Sequence, residues 1–145
     1  MKHYDKIVLA VELDSDCDEE PIKKAQELQK EFDANLYLVH AIEHMSSYGA
    51  AYGVAAGADI EEMLLENAQE SMRKVASKIG VKDENLIIKV GPARTIILEE
   101  AEKLGADLII VGSHGRHGIR LLLGSTANAV LHGALCDVLA VRVKE

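Results

Sequence analysis

The fold is decided by the stretch Leu108-Ile109-Ile110-Val111, followed by Gly112-Ser113-His114-Gly115-Arg116-His117-Gly118. Its four apolar residues have the length and the branched side chains of a buried strand. A short helix is predicted over Ala127–Leu131, so the glycine loop leaves a strand and leads to a helix start. Glycines let backbone N–H groups approach a ligand closely, and a helix N-terminus adds partial positive charge. The pattern predicts an anion cradle, in which Ser125 and Thr126 would cap the helix or bind phosphate oxygens.

The rest of the chain alternates strands with helices. Strands are predicted at Ile7–Val11, Leu36–Val39, Leu86–Val90, Leu108–Val111 and Cys136–Val143. Helix starts are predicted at Asp18–Pro21 and Asp59, and a further helix is predicted whose apolar face is Ile96, Ile97, Ala101 and Leu104. A long loop is predicted over Met45–Gly57. Such alternation indicates the α/β class, a parallel sheet with helices on both faces. Ligands bind these sheets beyond the carboxyl ends of the strands, where Glu12 and the glycine loop would meet if the first and fourth strands are neighbours.

Length and composition indicate a single domain over residues 1–145. The net charge of -8 opposes contact with phosphate backbones, so no nucleic-acid partner is expected. No apolar run approaches the ~20 residues needed to span a bilayer, and the N-terminus has no secretory pattern, so no membrane association and a cytoplasmic location are predicted. Cys17 and Cys136 make no CxxC pair and are expected to be free thiols.

The glycine loop matches neither familiar phosphate-binding fingerprint. It lacks the Lys of GxxxxGK[ST], and its glycines are spaced GxxGxxG after a late strand instead of GxGxxG after the first. Two interpretations stay open from the residues alone. The glycines bind phosphate through backbone N–H groups, or they only permit a tight connection between strand and helix.

The histidines give a weaker indication of chemistry. His40 and His44 are four residues apart, and His114 and His117 are three apart. No third ligand of suitable spacing accompanies either pair, so a metal site is not predicted. A hydrolytic triad is not predicted either, because the chain has no GxSxG elbow. The histidines are interpreted as polar loop residues near the pocket.

An acidic run follows the first strand. Asp14, Asp16 and Asp18 form an Asp-x-Asp-x-Asp pattern that resembles part of a calcium loop. The Gly and the distal Glu of an EF-hand are missing, so the run is interpreted as a solvated helix-capping turn. Cys17 lies among these acids, which disfavours its thiolate and predicts a poor nucleophile.

Several segments resemble the universal stress protein family, above all Val111–Gly118, Leu122–Thr126 and Cys136–Val141. The opening Lys6–Val11 and the strand Leu38–His40 are also similar to that family. The resemblance implies a sheet with strand order 3-2-1-4-5, a homodimer formed through the last strand, and a stress-linked role. For the ATP-binding branch of the family, it also implies ATP held by the glycine loop, with Mg.

The resemblance also implies a set of nucleotide-binding residues. They are Glu12, Ala41, Gly112, Gly115, Arg116, Gly124, Ser125 and Thr126. The three glycines would line the triphosphate, beside the hydroxyl of Ser125 and the charge of Arg116. Glu12 stands where the family usually has Asp near the ribose. Ala41 would lie against the adenine.

The length of the glycine loop favours a second interpretation. Eight residues, Arg116–Leu123, separate Gly115 from Gly124, whereas the family's ATP motif has nine. The shorter loop, together with Tyr48 and Tyr52, is similar to the UspA-type branch, which is not regarded as ATP-binding and would act through protein contacts of the dimer. The leading prediction is an ATP-binding switch that acts on an unknown protein partner. Slow ATP hydrolysis is the most that is expected of it as an enzyme, because no base or Lys is identifiable.

Overall fold

The chain forms five strands and four α-helices in a computed structural model that describes residues 3–43, 54–113 and 124–143, with the backbone alone for residues 54–59. The strands are β1 Lys6–Ala10, β2 Asn35–Ile42, β3 Leu86–Val90, β4 Leu108–Ser113 and β5 Asp137–Arg142. The helices are α1 Ser15–Phe32, α2 Val54–Ile79, α3 Ala93–Leu104 and α4 Ser125–Gly133. None of the helices in this described part combines the length and apolar character that crossing a bilayer requires.

The five strands form one parallel sheet in the order β3-β2-β1-β4-β5. This order confirms the predicted fold class and the arrangement 3-2-1-4-5. β1 is central, and its Val8 lies opposite Tyr37 of β2 and Ile109 of β4. The strand order reverses between β1 and β4, so the switch point of the sheet lies between these two strands.

Helices cover both faces of the sheet. On one face, Ile7 and Leu9 of β1 pack in a cluster with Ala25 of α1 and Met72 of α2. On the other face, Val8 belongs to a cluster built with α3 and α4. Successive side chains of a strand point to opposite faces, and helices cover both faces of this sheet. Ile7, Val8 and Leu9 are therefore all fully buried. Each such burial contributes about 1.5–3 kcal/mol to the free energy of folding.

The first helix begins earlier than predicted. α1 starts at Ser15 with Asp14 as its N-cap, so Pro21 lies inside the helix and not at its beginning. Proline has no N–H, and the carbonyl of Cys17 therefore receives no helical hydrogen bond from position 21. The prediction placed the start too late because acids and proline both suit a first turn, and Asp14 satisfies the same requirement as a cap.

The second helix also begins before its predicted start. α2 begins at Val54, which places Asp59 inside the helix and not at its cap. Residues 54–58 include three alanines, and alanine has the highest helix propensity. The last four residues of the predicted loop Met45–Gly57 are therefore helical, and most of that loop lies outside the described residues. Gly80 follows the helix with a φ of 74°, as expected for a helix stop.

Candidate functional site

The candidate site lies at the carboxyl edge of the sheet. Glu12 follows β1, Ala41 lies near the end of β2, and Gly112 lies near the end of β4. These three strands are parallel neighbours, so their carboxyl ends meet at one edge. Helix α4, which begins at Ser125, is the next described element after β4. Gly115 and Arg116 lie outside the described residues.

The turn between β1 and α1 is held by the side chain of Asp18. One carboxylate oxygen, Oδ1, accepts a hydrogen bond from the backbone N–H of Glu12 at 2.9 Å. The other, Oδ2, accepts from the N–H of Leu13 at 2.8 Å and from that of Asp14 at 3.3 Å. Asp18 is only 4% exposed. Three consecutive backbone donors therefore converge on one buried carboxylate, and Leu13 adopts a left-handed φ of 62° within the turn.

The strand end before this turn is fixed from β2. The N–H of Val11 donates to the carbonyl of Val39 at 2.9 Å. The carbonyl of Val11 lies 2.8 Å from Nδ1 of His40. A carbonyl can only accept, so Nδ1 carries the proton in this hydrogen bond. His40 is thus a strand residue that anchors β1, which corrects its interpretation as a loop residue. The other histidines of the two spaced pairs, His44, His114 and His117, lie outside the described residues.

The charge of Asp18 is costly at its position. Burial raises the pKa of this carboxyl above its ordinary value, and the nearby charge of Glu12 raises the pKa further. The hydrogen bonds from the backbone N–H groups of Glu12, Leu13 and Asp14 act in the opposite direction, because they favour the carboxylate. The buried carboxylate of Asp18 therefore stabilises the turn by accepting hydrogen bonds from three of its backbone N–H groups.

The thiol of Cys17 lies close to the carboxylates of the same turn. Burial, a hydrogen bond with the Glu12 side chain, and the charges of Glu12, Asp14 and Asp18 raise the pKa of the thiol to about 12. The thiolate is the reactive form of cysteine, so the thiol is unreactive near neutral pH. The prediction that Cys17 is a poor nucleophile is confirmed. Cys17 and Cys136 are both free cysteines.

The acidic run caps a helix, as predicted. Asp14 is the N-cap of α1, and its side chain accepts from the N–H of Asp16 at 2.9 Å. Asp16 and Asp18 place further negative charge at the start of the helix, where it complements the partial positive charge of the helix dipole. In the described segments, no group of three or more His, Cys, Asp or Glu side chains is arranged to hold a metal ion.

Gly112 is explained by packing against α1. A Cβ at this position would lie 3.3 Å from Cγ2 of Val143, 3.4 Å from Cγ of Pro21 and 3.6 Å from the carbonyl oxygen of Cys17. The carbonyl that Pro21 leaves without a helical donor thus faces the glycine. The glycine lets α1 approach the end of β4, a packing function that neither of the two interpretations of the glycine loop included.

Helix α4 begins without a side-chain cap. Its N-cap is Gly124, and within the described part of the chain no side chain makes a capping hydrogen bond there. Ser125 is the first helical residue and Thr126 the second, so the prediction that these residues cap the helix is wrong. Ser125 lies one position after the cap and Thr126 two positions after it, whereas a cap must have non-helical backbone angles. The first turn of α4 contains no acidic residue, so its partial positive charge is not offset by a carboxylate of that turn.

The sequence interpretation missed the turn-holding function of Asp18 and the anchoring function of His40. The signal for Asp18 was its place four residues after the N-cap Asp14. An acidic side chain near that position can reach back to backbone N–H groups, as it does in a capping box. No signal in the sequence pointed to the contact of His40, because it joins residues 29 positions apart.

Comparison with known proteins identifies the family. The model described as the universal stress protein family matches residues 3–142. This chain belongs to the universal stress protein family. Universal stress protein A homolog 2 from Coxiella burnetii is 61% identical over 144 residues, with 99% of each chain covered.

Solved structures of universal stress proteins share the fold. Universal stress protein UspA from Lactobacillus plantarum superposes with a TM-score of 0.80 at 23% identity, covering 98% of this chain and 100% of that chain. A universal stress protein in complex with cAMP superposes with a TM-score of 0.65 at 23% identity, covering 99% and 100%. The family resemblance and the sheet order expected from it are thereby confirmed.

Proposed function

We propose that this universal stress protein binds an adenine nucleotide, ATP with Mg, at the carboxyl edge of its sheet and acts in the stress response through binding. The observation that carries the proposal is the start of α4. This helix is the next described element after β4, it begins without a side-chain cap among the described residues and without an acid in its first turn, and β4 borders the switch point of the sheet. Backbone N–H groups and the helix dipole favour an anion at such a position. The solved universal stress protein in complex with cAMP supports an adenine nucleotide as the ligand.

The two sides of the switch point would bind different parts of the nucleotide. Gly124, Ser125 and Thr126 lie at the start of α4 and would meet the phosphates. Glu12 is exposed beyond β1 and would accept a hydrogen bond from a ribose hydroxyl. The carboxylate of Glu12 can accept this hydrogen bond and keep its hydrogen bond with the thiol of Cys17, because a carboxylate has about four acceptor positions.

The remaining assignments concern the adenine and the loop. Ala41 is partly buried against the apolar cluster of the α3 and α4 face, and its small side chain would leave room for the adenine ring. Gly112 packs against α1, so it would contribute through its backbone. Gly115 and Arg116 complete the proposed phosphate contacts on the family resemblance alone.

A homodimer through the last strand belongs to the same proposal. β5 pairs with β4, lies at the edge of the described sheet, and keeps its central residues Val138–Val141 only partly buried. Two exposed leucines precede it, with Leu131 40% and Leu135 86% exposed. Pairing with a second copy would cover an apolar edge of this kind. The ligand-dependent state of the dimer would then be presented to a protein partner.

Titration with ATP and Mg, followed by calorimetry, tests the proposed nucleotide site. At ~1 mM nucleotide, a site worth ~4 kcal/mol is about half filled. Binding should weaken at least tenfold in Gly115→Val, because a branched side chain blocks the approach of phosphate to the loop backbone. The wild-type chain should give heat and an upward shift in melting temperature. Absence of both with ATP and with cAMP would contradict the proposal.

The alternative function is a UspA-type protein that binds no ATP and works through contacts of its dimer. Two observations favour it, the eight residues between Gly115 and Gly124 and the packing of Gly112 against α1. The same titration separates the two functions. A chain that dimerises in sedimentation at micromolar concentration and binds neither ATP nor cAMP supports the alternative.

A further inference from the structure

The carboxylate of Asp18 serves the β1–α1 turn more than it serves helix α1. The cap of α1 is already provided by Asp14, whose side chain accepts from the N–H of Asp16. Two of the three N–H groups bound by Asp18 belong to Glu12 and Leu13, which precede the helix and its cap. Helix capping therefore does not explain why this residue is an aspartate.

Burial of Asp18 makes its position demanding. A buried charge is costly unless hydrogen bonds satisfy it. Asp18 is 4% exposed, and the three N–H groups of the turn occupy both of its oxygens. Removal of the Asp18 carboxylate would take the acceptor away from these three N–H groups. The same turn also has to hold Leu13 at a left-handed φ. The shape of the turn therefore depends on one side chain from α1.

The residue that the turn presents is Glu12. Its N–H is bound by Asp18, and its side chain is hydrogen-bonded to the thiol of Cys17. Both partners belong to the first turns of α1. Helix α1 thus fixes Glu12 at its backbone and at its side chain, on the β1 side of the switch point.

We propose that Asp18 is a positioning residue of the nucleotide site: through the N–H groups of Glu12, Leu13 and Asp14, it holds Glu12 where a ribose hydroxyl can reach its carboxylate. This inference rests on the proposed nucleotide-binding function and assigns Asp18 no contact with the ligand. Its effect is pre-organisation, since a turn that is already ordered does not have to be fixed when the ligand binds.

The sign of the effect separates positioning from simple charge. Asp18 adds negative charge near a site for an anionic ligand, so removing that charge should strengthen nucleotide binding if charge alone mattered. Positioning predicts the opposite, a weaker complex. Asp14→Asn is the matched control, because it also removes one negative charge at the start of α1 and because asparagine is as good an N-cap as aspartate.

The experiment measures binding of ATP with Mg by calorimetry in wild type, Asp18→Asn, Asp18→Glu and Asp14→Asn. Positioning predicts a Kd about tenfold higher in both Asp18 variants, since the amide and the longer acid both misplace the acceptors, and a change within about twofold in Asp14→Asn. In a Glu12→Ala background, Asp18→Asn should have no further effect on the Kd, because residues that act as one unit are not additive. A purely structural function of Asp18 would lower the melting temperature without this non-additivity.

Amide hydrogen exchange gives a readout that needs no ligand. The N–H groups of Glu12 and Leu13 should lose protection in Asp18→Asn and keep it in Asp14→Asn. Retained protection in Asp18→Asn would overturn the inference, as would a Kd equal to or below that of wild type. A wild-type chain that binds neither ATP nor cAMP would instead overturn the proposed function, and with it the inference. The two failures are distinguishable because only the first leaves wild-type binding intact.

Discussion

The two strand-to-helix connections beside the switch point have opposite designs. The connection from β1 ends at Asp14, which caps α1, and the first turn of that helix adds the carboxylates of Asp16 and Asp18. The connection from β4 reaches α4 at Gly124, with no side-chain cap and no acid in the first turn. The described residues therefore satisfy the start of α1, whereas none in the first turn of α4 offsets the partial positive charge there, which favours an anion.

This difference suits a ligand that has both hydroxyl groups and phosphates. A hydroxyl is a donor and is recognised by a carboxylate such as that of Glu12, whereas a phosphate needs N–H donors and positive potential. The chain has a net charge of -8, so a phosphate site must depend on local features. The start of α4 has such features, and the start of α1 does not.

Thiol reactivity should show the largest contrast between the two helix starts. With a pKa of about 12, Cys17 should be alkylated roughly 10³-fold more slowly at pH 8 than a peptide thiol with its pKa of about 8.5, because its thiolate is correspondingly scarce. Cysteine placed by Ser125→Cys should react at least as fast as the peptide, since a helix N-terminus stabilises the thiolate. Iodoacetamide kinetics in variants with a single thiol measure both rates. Rates for Cys17 within tenfold of the peptide would remove the contrast.

Overpacking at Gly112 should give the next largest effect. Gly112→Val should cost about 1–3 kcal/mol of unfolding free energy, because even its Cβ would lie 3.3 Å from Val143 and 3.4 Å from Pro21. Urea denaturation measures the loss. The control substitution Ser125→Val also introduces a valine, but at an exposed position, and should lower the free energy of unfolding much less. Equal stability of Gly112→Val and wild type would show that α1 does not need the glycine.

Removal of the carboxylate of Asp14 and of the hydroxyl of Ser125 should give smaller and unequal losses of stability. Asp14→Ala should lower the free energy of unfolding by about 1 kcal/mol, because it deletes the cap of α1. Ser125→Ala should change stability by only a few tenths of a kcal/mol, because Ser125 makes no capping hydrogen bond. Thermal or urea unfolding of both variants compares them directly. A loss near 1 kcal/mol in Ser125→Ala would mean that α4 has a side-chain cap after all.

The sequence predicted the sheet well because its signals are local. Short apolar runs such as Leu86–Val90 identify buried strands directly, and that strand has the predicted bounds. Helix starts were less accurate, since several residues near each start suit a first turn. Strand order came from the family resemblance, because a pattern of alternating elements fits several orders.

The candidate site was only partly predictable for a related reason. Glu12 and Ala41 could be placed at strand ends from the sequence, and the structure brings both to the same edge. The packing of Gly112 depends on how closely α1 approaches β4, which no local pattern encodes. The acidic pattern predicts a solvated turn at Asp18, whereas the carboxylate of Asp18 is buried and accepts the hydrogen bonds that shape the turn.

The most direct test of the proposed nucleotide site adds one negative charge at each helix start. Ser125 and Ser15 are both exposed serines at the first position of a helix, α4 and α1 respectively. Ser125→Asp and Ser15→Asp are therefore matched in chemistry and in helix position. Titration with ATP and Mg should show a Kd about tenfold or more above wild type for Ser125→Asp, because the new carboxylate repels phosphate at close range. Ser15→Asp should stay within about twofold, and equal effects of the two substitutions would contradict a phosphate site at the start of α4.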